Sequence, residues 1–180
     1  MRRFVQVAIA VLALSSPVLA QNKGTIEIGL DGNLTAGLDE PHVTTVNLPV
    51  QRLRVGYFIS PRISIEPYGA FNWTHVSGAD AVNLNLGVGG LYHFGDNPAA
   101  TRWYARPFTE LLYNHIDGDN GGSASSTTGA IGAGVGVKLP FAAQRFAWRF
   151  EGAFTQTFAH GGVDAQSSLS LFAGLSFFMH

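Results

Sequence analysis

Residues 166–179, QSSLSLFAGLSFFM, alternate in character with a period of two over a length greater than most strands of soluble proteins reach. Leu169, Leu171, Ala173, Leu175, Phe177 and Met179 fall on one face. Ser168, Ser170, Gly174 and Ser176 fall on the other, joined by Phe172 and Phe178. Such a strand needs an apolar medium against one face and a partner strand at each edge. The rest of the chain is therefore expected to supply strands of the same sheet.

It does so repeatedly. Seven earlier segments alternate in the same way, each bounded by turn residues. They are Thr25 to Leu34, Thr45 to Ile59, Ile63 to His75, Val82 to Phe94, Arg102 to Ile116, Thr128 to Leu139 and Phe146 to Phe158. In the second, Val46, Leu48 and Val50 begin in one parity and Leu53, Val55, Tyr57 and Ile59 continue in the other. A change of parity inside one strand predicts a β-bulge near Gln51, assisted by Pro49. Ser60-Pro61-Arg62 and Gly95-Asp96-Asn97-Pro98 read as turns, and Asp117 to Thr127, rich in Gly and Ser, reads as the longest loop. Strands of about 10 to 15 residues are long enough to cross a bilayer at a tilt, and eight is an even number, as bacterial single-chain barrels have.

The first 20 residues have a different character. Arg2 and Arg3 precede an apolar run, Phe4 to Leu14, and Val18-Leu19-Ala20 forms a small-residue cleavage site before Gln21. We read residues 1–20 as a signal peptide and residues 21–180 as one barrel domain. The apolar run is shorter than the roughly 20 residues a helical span needs. With a charged fraction of 13%, the chain is poorer in charge than the roughly 25% of soluble domains. Lys23 and Lys138 are its only lysines. A net charge of −1 offers no basic surface for nucleic acid, and the absence of cysteine excludes disulfides and thiolate metal sites.

Alternation alone does not say which face points inward. A soluble barrel keeps its apolar face inside, and a transmembrane barrel turns it to lipid. The polar face here is mostly Gly, Ser, Asn and Thr, which suits the crowded interior of an eight-stranded barrel. It also carries Glu27, Arg52, Arg54, Glu66, Arg106, Glu110, Lys138, Arg149 and Glu151, five basic and four acidic groups that can pair in a lumen. Glycines of the fourth and sixth strands are expected to make room for the long arginines. On the apolar face, Tyr57, Tyr92, Phe94, Trp103, Phe146, Trp148 and Phe177 gather at one set of strand ends, and Trp73, Tyr113 and Phe158 at the other. Two aromatic girdles match the two interfaces of a bilayer. The expected fold is thus all-β, an eight-stranded antiparallel up-and-down transmembrane barrel.

With this strand pattern and its aromatic-rich closing strand, residues 21–180 resemble the small eight-stranded bacterial outer-membrane β-barrels of the OmpA/OmpX type. That resemblance implies an outer-membrane location and contact with outer-membrane lipid and lipopolysaccharide. It also implies assembly as a monomer through periplasmic chaperones and the barrel-assembly machinery. In that orientation Asp39, Glu40, Asp80, Asp117, Asp119 and Asp164 lie in outward connections, while Arg62, Arg102 and Arg145 flank periplasmic turns.

Chemistry-bearing motifs are sparse. Asp117-Gly118-Asp119-Asn120-Gly121-Gly122 opens like a calcium loop but has Thr128 where the bidentate Glu belongs. His115 with Asp119 and Ser123, and His160 with Asp164 and Ser167, could imitate a Ser–His–acid relay, but neither matches a family motif. The sequence therefore implies no cofactor, no metal and no catalytic residue. The expected function is a non-enzymatic structural or surface-interaction role, with the lumen filled by a charge network. The rival functions are a lipid A-modifying enzyme and a narrow channel for small solutes.

Overall fold

A computed structural model of the chain describes residues 22–39, 44–76, 79–95, 97, 100–118, 122–159 and 164–179. The expected signal peptide lies outside the described residues. Eight strands follow one another: β1 (Ile26–Gly37), β2 (Thr44–Ser60), β3 (Ile63–Val76), β4 (Ala79–His93), β5 (Arg102–Gly118), β6 (Ser123–Phe141), β7 (Phe146–Thr157) and β8 (Ser167–Met179). Each pairs antiparallel with its sequence neighbour, and β8 closes on β1 from Ile26↔Met179 to Gly37↔Ser168. Closure gives every strand a partner on both sides, which is how a sheet can cross hydrocarbon without an open edge.

The change of parity in the second strand has a structural counterpart. Between β1 and β2 the register runs to Asp31↔Arg52 and resumes at Asn33↔Asn47, a shift that leaves residues 48–51 out of step. Pro49 lies in that stretch. Lacking an N–H, it cannot donate to a ladder and is accommodated where pairing is already interrupted. On the other side of β2, paired residues run from Ser60↔Ile63 to Arg52↔Ala70.

The expected long loop is mostly strand. β5 continues to Gly118 and β6 begins at Ser123, with Asp117 opposite Ser123 and Asn114 opposite Ser126. Alternating Ser and Thr carry little apolar signal, yet their backbones extend a ladder that β5 already templates. β4 likewise starts at Ala79, ahead of the expected Val82.

The distribution of side chains is inverted relative to a soluble domain. Outward-facing Trp73 and Leu171 are 60% and 63% exposed, while Arg54, Arg106, Lys138 and Glu66 are 0% exposed inside the barrel. A continuous apolar exterior around a charged interior is stable where the surrounding medium is hydrocarbon. At the strand ends near both termini, Phe146 meets Phe177 at 5.2 Å, Tyr92 meets Phe94 at 5.4 Å, and Phe141 lies 5.8 Å from Trp148. We call this the turn end, and the opposite one, with the β1–β2, β3–β4, β5–β6 and β7–β8 connections, the loop end. Tyr57 pairs with Ile26 and Trp103 with Val137, also toward the turn end. Toward the loop end Trp73 lies opposite Val82 and Tyr113 opposite Leu84, while Phe158 N–H donates to the Gly129 carbonyl.

Interior glycines let large side chains lie against the wall. A Cβ on Gly136 would overlap the Tyr104 hydroxyl and come within 2.6 Å of the Phe150 carbonyl oxygen. Similar overlaps oppose Gly87 with Tyr68, Gly132 with Phe108 and Gly29 with Arg54. The space made on β4 and β6 therefore serves aromatic rings as much as arginines; only Gly89 of those strands faces one, Arg106. Gly136→Val is expected to lower stability by about 1–3 kcal/mol through overpacking. Gly90→Ala, with nothing within 4 Å of its Cβ, is expected to shift it by less than about 0.5 kcal/mol. Urea titration of the detergent-folded protein measures both.

Candidate functional site

The interior is layered from the turn end to the loop end. At the turn end Phe58, Ala147 and Phe178 form a buried apolar cluster. The His93 ring stacks at a tilt 5.1 Å from Phe58 and lies 5.8 Å from Tyr104. Arg102, buried beside them, donates through Nη2 to the carbonyls of Pro61 and Gly95, both at 2.9 Å, and so ties two turns together. This layer seals the end of the lumen.

Above it lies a chain of charges in alternating sign. Arg52 pairs with Asp31 at 2.9 Å, and Asp31 pairs with Arg54 at 2.5 Å. Arg54 branches to Glu27 at 3.2 Å and to Glu66 at 3.1 Å. From Glu27 the chain ends at Lys138, 2.5 Å away. From Glu66 it continues through Arg149 at 2.5 Å to Glu151 at 2.6 Å, and ends at Arg106, which pairs with Glu151. Every one of these side chains is less than a tenth exposed. Burial of so many charges is tolerable because each carboxylate lies between opposite charges, and Glu27 and Glu151 take further hydrogen bonds from hydroxyls. Ser176 Oγ donates to Glu27 at 2.6 Å. Tyr104 Oη donates to Glu151 at 2.7 Å while accepting from Arg149 Nε at 2.6 Å.

Of the nine charges named from sequence, Glu27, Arg52, Arg54, Glu66, Arg106, Lys138, Arg149 and Glu151 belong to this connected set. Glu110 does not. It accepts a hydrogen bond from Tyr68 Oη at 3.0 Å and lines a separate cavity above. Asp31, on the same strand face as Glu27, was not counted among the charges and proves to be the link between Arg52 and Arg54. Tyr104 and Arg102 were also missed. Parity places both inward on the face of Arg106, Arg102 as the first residue of its strand.

Tyr68, Phe108 and Phe172 form an aromatic deck over the charges. The Arg52 guanidinium carbon lies 3.8 Å from the Phe172 ring centre, and that of Arg106 lies 4.3 Å from Phe108. Both also face Tyr68, at 5.1 and 5.3 Å. Beyond the deck a polar cavity of about 460 Å³ occupies the loop-end half of the lumen.

Neither candidate relay set is assembled among the described residues. His115 Nδ1 hydrogen-bonds Ser125 Oγ at 2.8 Å, on the outer side of β5, and Ser123 lies opposite Asp117. Asp119 and His160 lie outside the described residues. Ser167 Oγ donates to Gln156 at 2.8 Å, and its N–H donates to the Asp39 carboxylate. Of the calcium-like motif, residues 119–121 lie outside the described residues; Thr128 is buried on β6 opposite Leu112, and the described residues hold no cluster of three metal-ligating side chains.

Arg54 is the branch point of the charge chain, and its removal leaves three buried carboxylates, Asp31, Glu27 and Glu66, with a single cation each. Arg54→Met is therefore expected to cost about 3–5 kcal/mol or to prevent folding. Glu110→Gln is expected to cost less than about 1 kcal/mol, since a neutral amide still accepts from Tyr68. Unfolding in urea, followed by the gel mobility of folded and unfolded bands, separates the two.

No family model matches the sequence, and no curated protein matches it. Solved structures do resemble the fold. Neisserial surface protein A superposes with a TM-score of 0.65 at 15% identity, over 86% of this chain and 99% of that one. Ail, the attachment invasion locus protein of Yersinia pestis, superposes with a TM-score of 0.56 at 10% identity, over 87% and 99%. The same protein in complex with the heparin analogue sucrose octasulfate gives 0.57 at 11% identity. At these identities the likeness is one of fold, and it spans nearly the whole of each solved barrel. The closed eight-stranded sheet, its apolar exterior and its charged interior give this chain the fold of the small outer-membrane β-barrels of the OmpA/OmpX type.

Proposed function

We propose that the protein is a non-enzymatic integral outer-membrane barrel with a structural or surface-interaction role. The observation that carries this reading is the sealed lumen: an apolar turn-end layer, then a continuous chain of paired charges, then an aromatic deck. A barrel blocked in this way does not serve as a wide pore. It presents lipid with its exterior and the outside with its loop end.

Under this reading residues 1–20 direct export and are removed. The chain then reaches the outer membrane with periplasmic chaperones and inserts as a monomer through the barrel-assembly machinery. The turn end faces the periplasm, and the two aromatic girdles sit at the two lipid interfaces, the outer one against lipopolysaccharide. The loop end carries Asp39, Asp80, Asp117 and Asp164 among its described residues. Ail was solved with a heparin analogue, a polysulfated sugar. Four carboxylates at the corresponding rim would repel such a polyanion, so the partner proposed here is not one.

Fractionated cells should yield the protein in the outer membrane, with a folded band on unboiled SDS gels that shifts on boiling. Recovery in the soluble periplasm without a shift would overturn the reading. In planar bilayers no steady open-pore conductance is expected, and lipid A should have the same mass with and without the protein. A stable conductance would favour the channel, and a changed lipid A mass the enzyme.

A further inference from the structure

The loop-end cavity is a cup with a chemistry of its own. Its wall on β3, β4 and β5 carries a cross-strand row of asparagines, Asn72 opposite Asn83 and Asn83 opposite Asn114, with Asn85 on the same face. Among the described residues, the amides of Asn83, Asn85 and Asn114 have no hydrogen-bond partner. The facing wall supplies hydroxyls, among them Thr155 and Ser168, which lie opposite each other on β7 and β8. The floor is the aromatic deck of Tyr68, Phe108 and Phe172, with the Glu110 carboxylate at its edge.

We infer that this cup binds a small neutral polyhydroxylated ligand, a saccharide of one or two rings. Three observations set the class. First, three unpartnered amides each offer two donors and an acceptor, and converging groups of that kind match the hydroxyls of a sugar. Second, a carboxylate beside aromatic rings can accept from a pair of hydroxyls while the ring faces receive the apolar C–H face. Third, charge excludes the rivals. Arg52, which also lines the cup, and Arg106 already lie against the deck, so a second cation over the same rings meets repulsion. An anion meets Glu110 and the rim carboxylates, and Arg52 is already paired with Asp31. The volume of about 460 Å³ lies within the range of small-molecule sites, roughly 300–1,000 Å³.

The cup is a feature of the barrel itself; only its outward direction in the cell rests on the surface role proposed above. Binding in micelles therefore tests the cup, and fractionation tests the location. The experiment is saturation-transfer difference NMR on the full chain folded in a sugar-free detergent. The probes are glucose, N-acetylglucosamine and sucrose, with choline as a cationic control and sulfate competing as an anionic one. At least one sugar should receive saturation on its ring protons, undiminished by sulfate. Binding should weaken by about tenfold or more in Asn83→Leu/Asn114→Leu and in Glu110→Gln. The heat-modifiable band certifies that each variant is folded, and Glu110→Gln, remote from the charge chain, serves if the leucine variant fails to fold. The inference is overturned if none of the three sugars receives saturation. It is also overturned if the sugar signal is unchanged in folded variants, or if choline alone binds.

Discussion

A charge buried inside an eight-stranded barrel has no water to retreat to, so it must find its counter-charge across the lumen or along the wall. That constraint organises the molecule. The chain from Arg52 through Asp31, Arg54, Glu66, Arg149 and Glu151 to Arg106, with its branch through Glu27 to Lys138, meets it by strict alternation of sign. Arginine suits this task because its fork can engage two carboxylates at once without losing its charge. Arg54 engages three. The consequence for the fold is that strands far apart in sequence, β3 and β7 for instance, are joined through side chains as well as through the sheet.

The other layers follow from the need to insulate those charges. Below them Phe58, Ala147 and Phe178 exclude solvent at the turn end, and Lys138 lies within 5.4 to 6.0 Å of the rings of Phe58, Tyr104 and Phe178. Above them the aromatic deck presents its lower faces to two guanidinium groups. What remains toward the loops is an amide- and hydroxyl-lined space with Glu110 and Arg52 at its floor. The same chain therefore holds a charged, ion-paired lower lumen and an open polar upper one lined by amides and hydroxyls.

Much of this was legible in the sequence, and the reason is the period of two. Parity alone placed Leu53 and Val55 outside and Arg52 and Arg54 inside, and the change of parity before Arg52 foretold the irregular register beside Pro49. Parity says nothing about which inward charges meet. Glu66 and Arg149 are 83 residues apart and touch across the lumen, a contact set by strand stagger, which alternation does not encode. For the same reason Glu110 was grouped with charges it does not reach, and Asp31 was overlooked as their link. The Ser- and Gly-rich stretch after Asp117 was misread as loop because propensity is weak there and the neighbouring strand supplies the template.

The most direct test of the account is a double-mutant cycle at one terminus of the charge chain, Lys138→Met and Glu27→Gln, measured by reversible urea unfolding in detergent micelles. If the lumen is held by paired charges, each single change is costly. The double variant should then lose less than the sum of the two, with a coupling of about 1–3 kcal/mol. Additive losses, with no coupling beyond about 0.5 kcal/mol, would contradict the account and leave the ion pairs as passengers in a barrel stabilised by its sheet and its lipid-facing surface alone.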